Sequence, residues 1–211
     1  MSRLSPAVLG IDAGTSGVRC VAMIAGGEII GLASVKLSDF GSDGRDPFVW
    51  WKATQAALGI ILGQVQPERI AALAVDGTSG TVLPVDPAGQ PLANALLYSD
   101  AVSDLGILDL IARHAPLDNA ARGPTSGIAK AMTFQAIAGL SRILHQADWI
   151  AGQLSGVFQF SDANNALKSG YDAAQEKWPD WIGVAEFPVK LLPDVVAPGT
   201  PTATVSQESS R

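Results

Sequence analysis

The stretch from Val8 to Met23 constrains this chain most: Val-Leu-Gly-Ile-Asp-Ala-Gly-Thr-Ser-Gly-Val-Arg-Cys-Val-Ala-Met. Two runs rich in apolar and β-branched residues, Val8 to Ile11 and Val18 to Ala25, flank a small polar turn from Asp12 to Gly17. β-Branched side chains pack well on a pleated surface and glycine interrupts it, so the spacing predicts strand, turn, strand. Gly14 and Gly17 can take positive φ and let a ligand come close to the backbone. Thr15 and Ser16 offer hydroxyls and amides to an anion. Asp12, at the mouth of the turn, repels an anion unless a divalent cation or a proton lies between them. The turn reads either as a phosphate loop with Mg²⁺ at Asp12, or as an ordinary hairpin closed by Gly-Thr-Ser-Gly.

Bulk properties narrow the class. A chain of 211 residues suffices for one large domain or two small ones. Mean hydropathy is +0.24, apolar for a soluble domain, yet no uninterrupted run is long enough to span a bilayer, so no membrane partner is expected. The net charge of −6 leaves no basic stripe to meet phosphates, which argues against nucleic acid as a partner. The N-terminal residues lack the apolar core of an export signal, and the single Cys20 cannot form an internal disulfide. Both features predict a reducing, cytoplasmic location, with Cys20 as a small core residue of the second strand.

The chain continues with a third strand over Glu28 to Leu37 and a polar loop over Ser38 to Pro47. Asp46-Pro47 predicts the start of a helix, Phe48 to Gln64, with Trp50, Trp51, Ala57, Leu58, Ile61 and Leu62 at helical spacing. The tryptophans pack this helix on the sheet, or Trp51 reaches a ligand. Strands Ile70 to Val75 and Val82 to Val85 flank a second polar loop, Asp76-Gly77-Thr78-Ser79-Gly80-Thr81, placed where α/β folds usually bind ligands. Asp100 serves as N-cap of a helix over Ala101 to His114, as an acceptor for ligand hydroxyls, or as both. A helix starts at Ser126, with Lys130 as a surface or loop-anchoring residue. Another helix spans Ser141 to Leu154, capped by Gly156. A strand over Val157 to Phe160 leads into the loop Ser161 to Ala166, which Asp162 and Asn165 fix by bonding backbone amides. His114 and His145 have no partner at metal-ligand spacing and are expected to be structural or exposed.

Three segments carry a family resemblance, in order: Ile11 to Arg19, Asp76 to Gly80, and Ser161 to Ala166. Asp46-Pro47 before Trp50-Trp51, and Val195-Val196-Ala197-Pro198-Gly199, add to it. Together they resemble the sugar kinases of the FGGY family, within the actin/hexokinase/heat-shock-chaperone superfamily. The resemblance implies an α/β, ribonuclease H-like domain: a mixed five-stranded sheet, three strands antiparallel, with helices on its faces. It implies ATP-dependent phosphorylation of a small sugar. The Asp-Gly-Thr-Ser run is similar to that of D-ribulose kinases rather than the Met-His of xylulokinases, so a ketopentose such as D-ribulose is the implied substrate. Asp12 would hold Mg²⁺, and Gly14, Thr15 and Ser16 would hold the phosphate of ATP. Asp76, Thr78, Ser79 and Asp100 would contact sugar hydroxyls. Tyr98 stands where the family has Trp, and Val102 where it often has Arg, which puts an arginine clamp on the sugar in question. The resemblance further implies that the catalytic base and the nucleotide domain lie beyond Arg211. Residues 1–211 are then the sugar-binding N-terminal domain, with little kinase turnover alone and with apolar surface that drives self-association. The other readings are a sugar- or phosphate-binding module, half of a split kinase, or a folded remnant without a ligand.

Overall fold

Leu9, Ile11 and Ala13 are buried while Gly10 and Asp12 between them are not, the alternation of a strand covered on one face. They belong to β1 (Ala7–Ala13) in a computed structural model that describes residues 5–207. The chain divides between Thr78 and Ser79 into two units.

In the first unit, β1, β2 (Gly17–Ile24) and β3 (Ile29–Lys36) form an antiparallel meander. Helix α1 (Pro47–Leu62) carries the chain over to β4 (Ile70–Gly77), which returns parallel to β1. A parallel return needs such a crossover. The sheet order is β3-β2-β1-β4. Asp46 caps α1 by accepting from the Phe48 amide at 2.9 Å, and Pro47 occupies the first turn, where its missing N–H costs nothing. Val49, Trp50, Ala53, Ala57 and Ile61 form the buried face of α1, which packs on β2 and β3. Trp50 fills the core and donates from Nε1 to the Gly44 carbonyl at 2.9 Å; Trp51 stays half-buried. Cys20 is fully buried on β2, as expected. At the outer edge of the sheet, the Gln64 side chain accepts from the Leu32 amide and donates to the Leu32 carbonyl, both at 3.0 Å.

Among the described residues this sheet has four strands, not five. The next extended segment, β5 (Val82–Val85), belongs to the second unit and pairs antiparallel with β6 (Arg142–His145). The second unit also holds α2 (Leu105–His114), α3 (Gly127–Phe134), α4 (Gln146–Ser155), the parallel pair β7 (Phe160–Asp162) and β8 (Asp194–Val196), and short helices α5 (Ala163–Leu167) and α6 (Trp181–Val184). Ile111, Ile128, Met132, Ile143, Ile182 and Phe187 anchor its core.

Three expected boundaries are corrected. The helix expected from Ala101 begins at Leu105, capped by Asp104 and not by Asp100, because the Val102 amide donates to the Pro124 carbonyl and keeps the preceding residues extended. The helix expected from Ser141 begins at Gln146, because Arg142 to His145 pair with β5. The strand expected over Val157 to Phe160 starts only at Phe160. Gly156 does end α4 in the left-handed region, at φ 78°.

Candidate functional site

The β1–β4 register places Asp12 directly beside Asp76 and Ile11 beside Val75. Strands so paired lie about 4.8 Å apart, with matched residues on one face. Two carboxylates therefore stand side by side at the C-terminal ends of two parallel strands. Across β1, Arg19 is the register partner of Asp12 in β2, and its Nη1 lies 3.2 Å from the Asp12 carboxylate. Gly10 and Ala74 floor an open cleft of about 330 Å³ walled by these three charges. Both members of the Asp12–Arg19 pair are more than half or about half exposed (50% and 63%), so the pair adds little stability and either side chain is free to turn to a ligand.

Beyond Asp12, the turn of Gly14, Thr15 and Ser16 lies just past the end of β1. The Gly14 amide donates to the Gly17 carbonyl at 3.0 Å, and the Leu37 amide donates to the Ser16 carbonyl. Thr15 and Ser16 are exposed, and their hydroxyls bond to no described residue. The glycines play a different part from the one expected, since neither Gly14 nor Gly17 has positive φ. Gly17 is needed for space: a Cβ there would sit 2.3 Å from the Val35 carbonyl oxygen.

Asp76, next to last in β4, accepts from the Gly77 amide at 2.8 Å, and Thr78 closes the first unit. Ser79 and Asp100 belong to the second unit. There the Gly80 and Leu97 carbonyls accept from the Lys130 ammonium at 2.8 and 2.6 Å. Lys130 is fully buried and anchors loops, so its expected alternative as a surface residue is overturned. Sequence reasoning also passed over Arg19, whose sign and register opposite Asp12 were the available signal. His145 is structural, buried against Asp148, Ser161 and Ser169. Asp162 fixes its loop by accepting from the Asn164 and Asn165 amides, while the Asn165 side chain turns to the same carboxylate.

Burial pushes the Lys130 ammonium down to about 8, with Asp100 opposing the shift and Lys168 adding to it. The unfolded lysine titrates near 10.5. Between these values only the unfolded state holds the proton, so this group makes the fold more stable as pH rises through that window. Cys20, pushed up to about 11 by burial, works the opposite way above pH 9. Comparing the protein with Lys130→Met cancels that contribution. Urea titrations are expected to show the advantage of the unsubstituted protein growing by about 2 kcal/mol from pH 7 to 10. A flat difference would refute the assignment.

A family model for the N-terminal domain of FGGY carbohydrate kinases matches residues 7–121, which takes in both carboxylates, the hydroxyl turn and Asp100. The chain belongs to the FGGY family of carbohydrate kinases. A xylulose kinase of Staphylococcus xylosus is 25% identical over 107 residues, 49% of this FGGY chain and 22% of its own length. A glycerol kinase of Aquifex aeolicus is 29% identical over 98 residues, 44% of this chain and 20% of its own. The crystal structure of xylulose kinase from Rhodospirillum rubrum matches the fold with a TM-score of 0.81 at 21% identity, covering 97% of this chain and 46% of that one. The FGGY chain thus spans less than half the length of these relatives. The α/β architecture expected from the resemblance, a mixed sheet with helices on its faces, is the one observed, and it is shared with that kinase.

Proposed function

We propose that this FGGY chain is the sugar-recognising part of an ATP-dependent kinase for a small ketopentose such as D-ribulose. The observation that carries the reading is the pairing of Asp12 with Asp76, directly before a turn whose hydroxyls bond to no described residue. The donor set fits Mg²⁺: half-exposed Asp12, with a second carboxylate beside it, leaves room for the waters that this ion keeps. Bound there, the ion would neutralise charge on the transferring phosphoryl group. Gly14, Thr15 and Ser16 supply amides and hydroxyls for the terminal phosphate of ATP, and Arg19 adds a guanidinium that suits phosphate oxygens. Asp76, Thr78, Ser79 and Asp100 supply acceptors and donors for sugar hydroxyls. The Asp-Gly-Thr-Ser run favours a pentulose, and the Staphylococcus xylosus relative is named for one.

Isothermal titration of D-ribulose into the protein is expected to release heat. Asp100→Asn keeps an acceptor for the Leu97 amide and should weaken binding at least tenfold, the cost of one hydrogen bond to a charged group. No heat with D-ribulose, D-xylulose or glycerol overturns the sugar reading. The 211 residues alone are expected to release ADP from Mg-ATP and D-ribulose only at background rate, since they cover 46% of a neighbouring kinase chain. Turnover near that of a full-length relative would contradict this.

We also propose self-association through β4. It is the outermost strand of its sheet, and its Ile-Ala-Ala-Leu-Ala-Val run carries no charge before Asp76. Long, flat, apolar edges pair with other chains unless a charge blocks them. Size-exclusion elution should shift to larger species with concentration, and Ala72→Lys should abolish the shift. A monomer at every concentration rejects the proposal.

A further inference from the structure

We propose that Lys130 is a positioning residue for sugar recognition: by pinning the Gly80 and Leu97 carbonyls, it holds Ser79 and Asp100 in the arrangement that meets the sugar hydroxyls. The inference rests on the assignment of Ser79 and Asp100 to the sugar. Lys130 lies on α3, whose N-cap Ser126 accepts from the Ala129 amide. Its side chain is 0% exposed, and its ammonium reaches carbonyls 50 and 33 residues away in sequence. Gly80 directly follows Ser79 and has φ +82°, a conformation that L side chains resist. Leu97 is held from both ends. Its carbonyl accepts from Lys130 and from the Asp100 amide, and its own amide donates to the Asp100 carboxylate at 2.8 Å. A further stitch joins the same two loops, from the Tyr98 amide to the Thr81 hydroxyl at 3.1 Å.

Burying an ammonium is expensive, and hydrogen bonds to carbonyls alone offset it only with good geometry. Asp100 is the anion that favours the charge, so the group proposed to touch the sugar also steadies the clamp that orients it. Removing the ammonium should release two carbonyls at once and let the loops part, without touching a sugar contact directly.

The test combines amide hydrogen exchange with titration of D-ribulose, on the full chain. In Lys130→Met, the amides of Leu97, Tyr98 and Asp100 should exchange at least tenfold faster while those of β1 stay protected. D-Ribulose should bind at least tenfold more weakly. Lys130→Gln, which can still donate to one carbonyl, should fall between, and it carries the test where the methionine variant does not fold. Unchanged exchange at those amides overturns the clamp. Faster exchange with unchanged sugar affinity overturns the positioning role. No sugar heat from the unsubstituted protein removes the assignment of Ser79 and Asp100 and the positioning role with it, while the exchange data still report on the clamp.

Discussion

Gly17→Ala is expected to destabilise the first unit by about 3 kcal/mol or more. The new methyl would lie 2.3 Å from the Val35 carbonyl oxygen and 3.3 Å from the carbonyl carbon, closer to the oxygen than real Cβ atoms approach. The obstacle is backbone, so no rotamer relieves it. Moving Val35 away means breaking the β2–β3 ladder, in which Gly17 pairs with Lys36 and Val18 with Val35. Helix α1 packs on both strands and would lose its seat. Overpacking a tight site typically costs about 1–3 kcal/mol, and a clash between two ladder strands belongs at or beyond the upper end. Gly14→Ala is the control. Its methyl would meet the Gly17 carbonyl at 3.5 Å, an ordinary contact, so stability should change by less than about 1 kcal/mol. Urea unfolding followed by circular dichroism measures both, and a Gly17→Ala protein as stable as the Gly14→Ala one would show the contact is relieved at no cost.

The second large effect is expected from His145→Ala. The imidazole is 2% exposed. Its Nδ1 lies 2.7 Å from an Asp148 carboxylate oxygen and 3.2 Å from the Ser161 hydroxyl, and its Nε2 lies 3.1 Å from the Ser169 hydroxyl. Ser169, His145 and Asp148 in series have the connectivity of a nucleophile, a base and its orienting acid. Burial closes that route, since Ser169 is 2% exposed and no acyl substrate can reach it. The cluster instead joins β6, α4, β7 and the segment after α5. Deleting the ring leaves Asp148 with the residue-145 backbone amide at 3.1 Å but takes the shared partner from its carboxylate and from two buried hydroxyls, which costs about 1–3 kcal/mol for each group left unpaired. His145→Gln should recover part of this, because its amide can both donate and accept. Equal stability of the alanine variant and the unsubstituted protein in urea would show that water replaces the ring freely.

The first strand, the hydroxyl turn, the Asp46-Pro47 helix start and the Gly156 cap were legible because each depends on residues close in sequence. Features set by distant partners were not. Arg142 to His145 offers only Ile143 and Leu144 as apolar residues beside a helix, too short a stretch for periodicity to separate the two; pairing with Val82 to Val85 decides it. Asp100 was the expected cap, but the Pro124 carbonyl takes the Val102 amide and the helix starts later, behind Asp104. Between surface and loop anchor, local sequence could not decide for Lys130, because its carbonyl partners are far along the chain. Within the candidate site, the hydroxyl turn was visible from local composition. The side-by-side placement of Asp12 and Asp76 was not, since a parallel register across 64 residues is a tertiary fact.

The Gln64 side chain on Leu32 gives this sheet a polarity of growth. An amide group that both donates and accepts imitates one residue of a neighbouring strand, and it occupies the middle of the β3 edge. Among the described residues, β4 is the opposite edge of this sheet. A fibre needs two sticky ends on every subunit, whereas a subunit with one can only pair. The proposed pairing at β4 would therefore favour two molecules over a fibre, because Gln64 obstructs the β3 margin of each at Leu32.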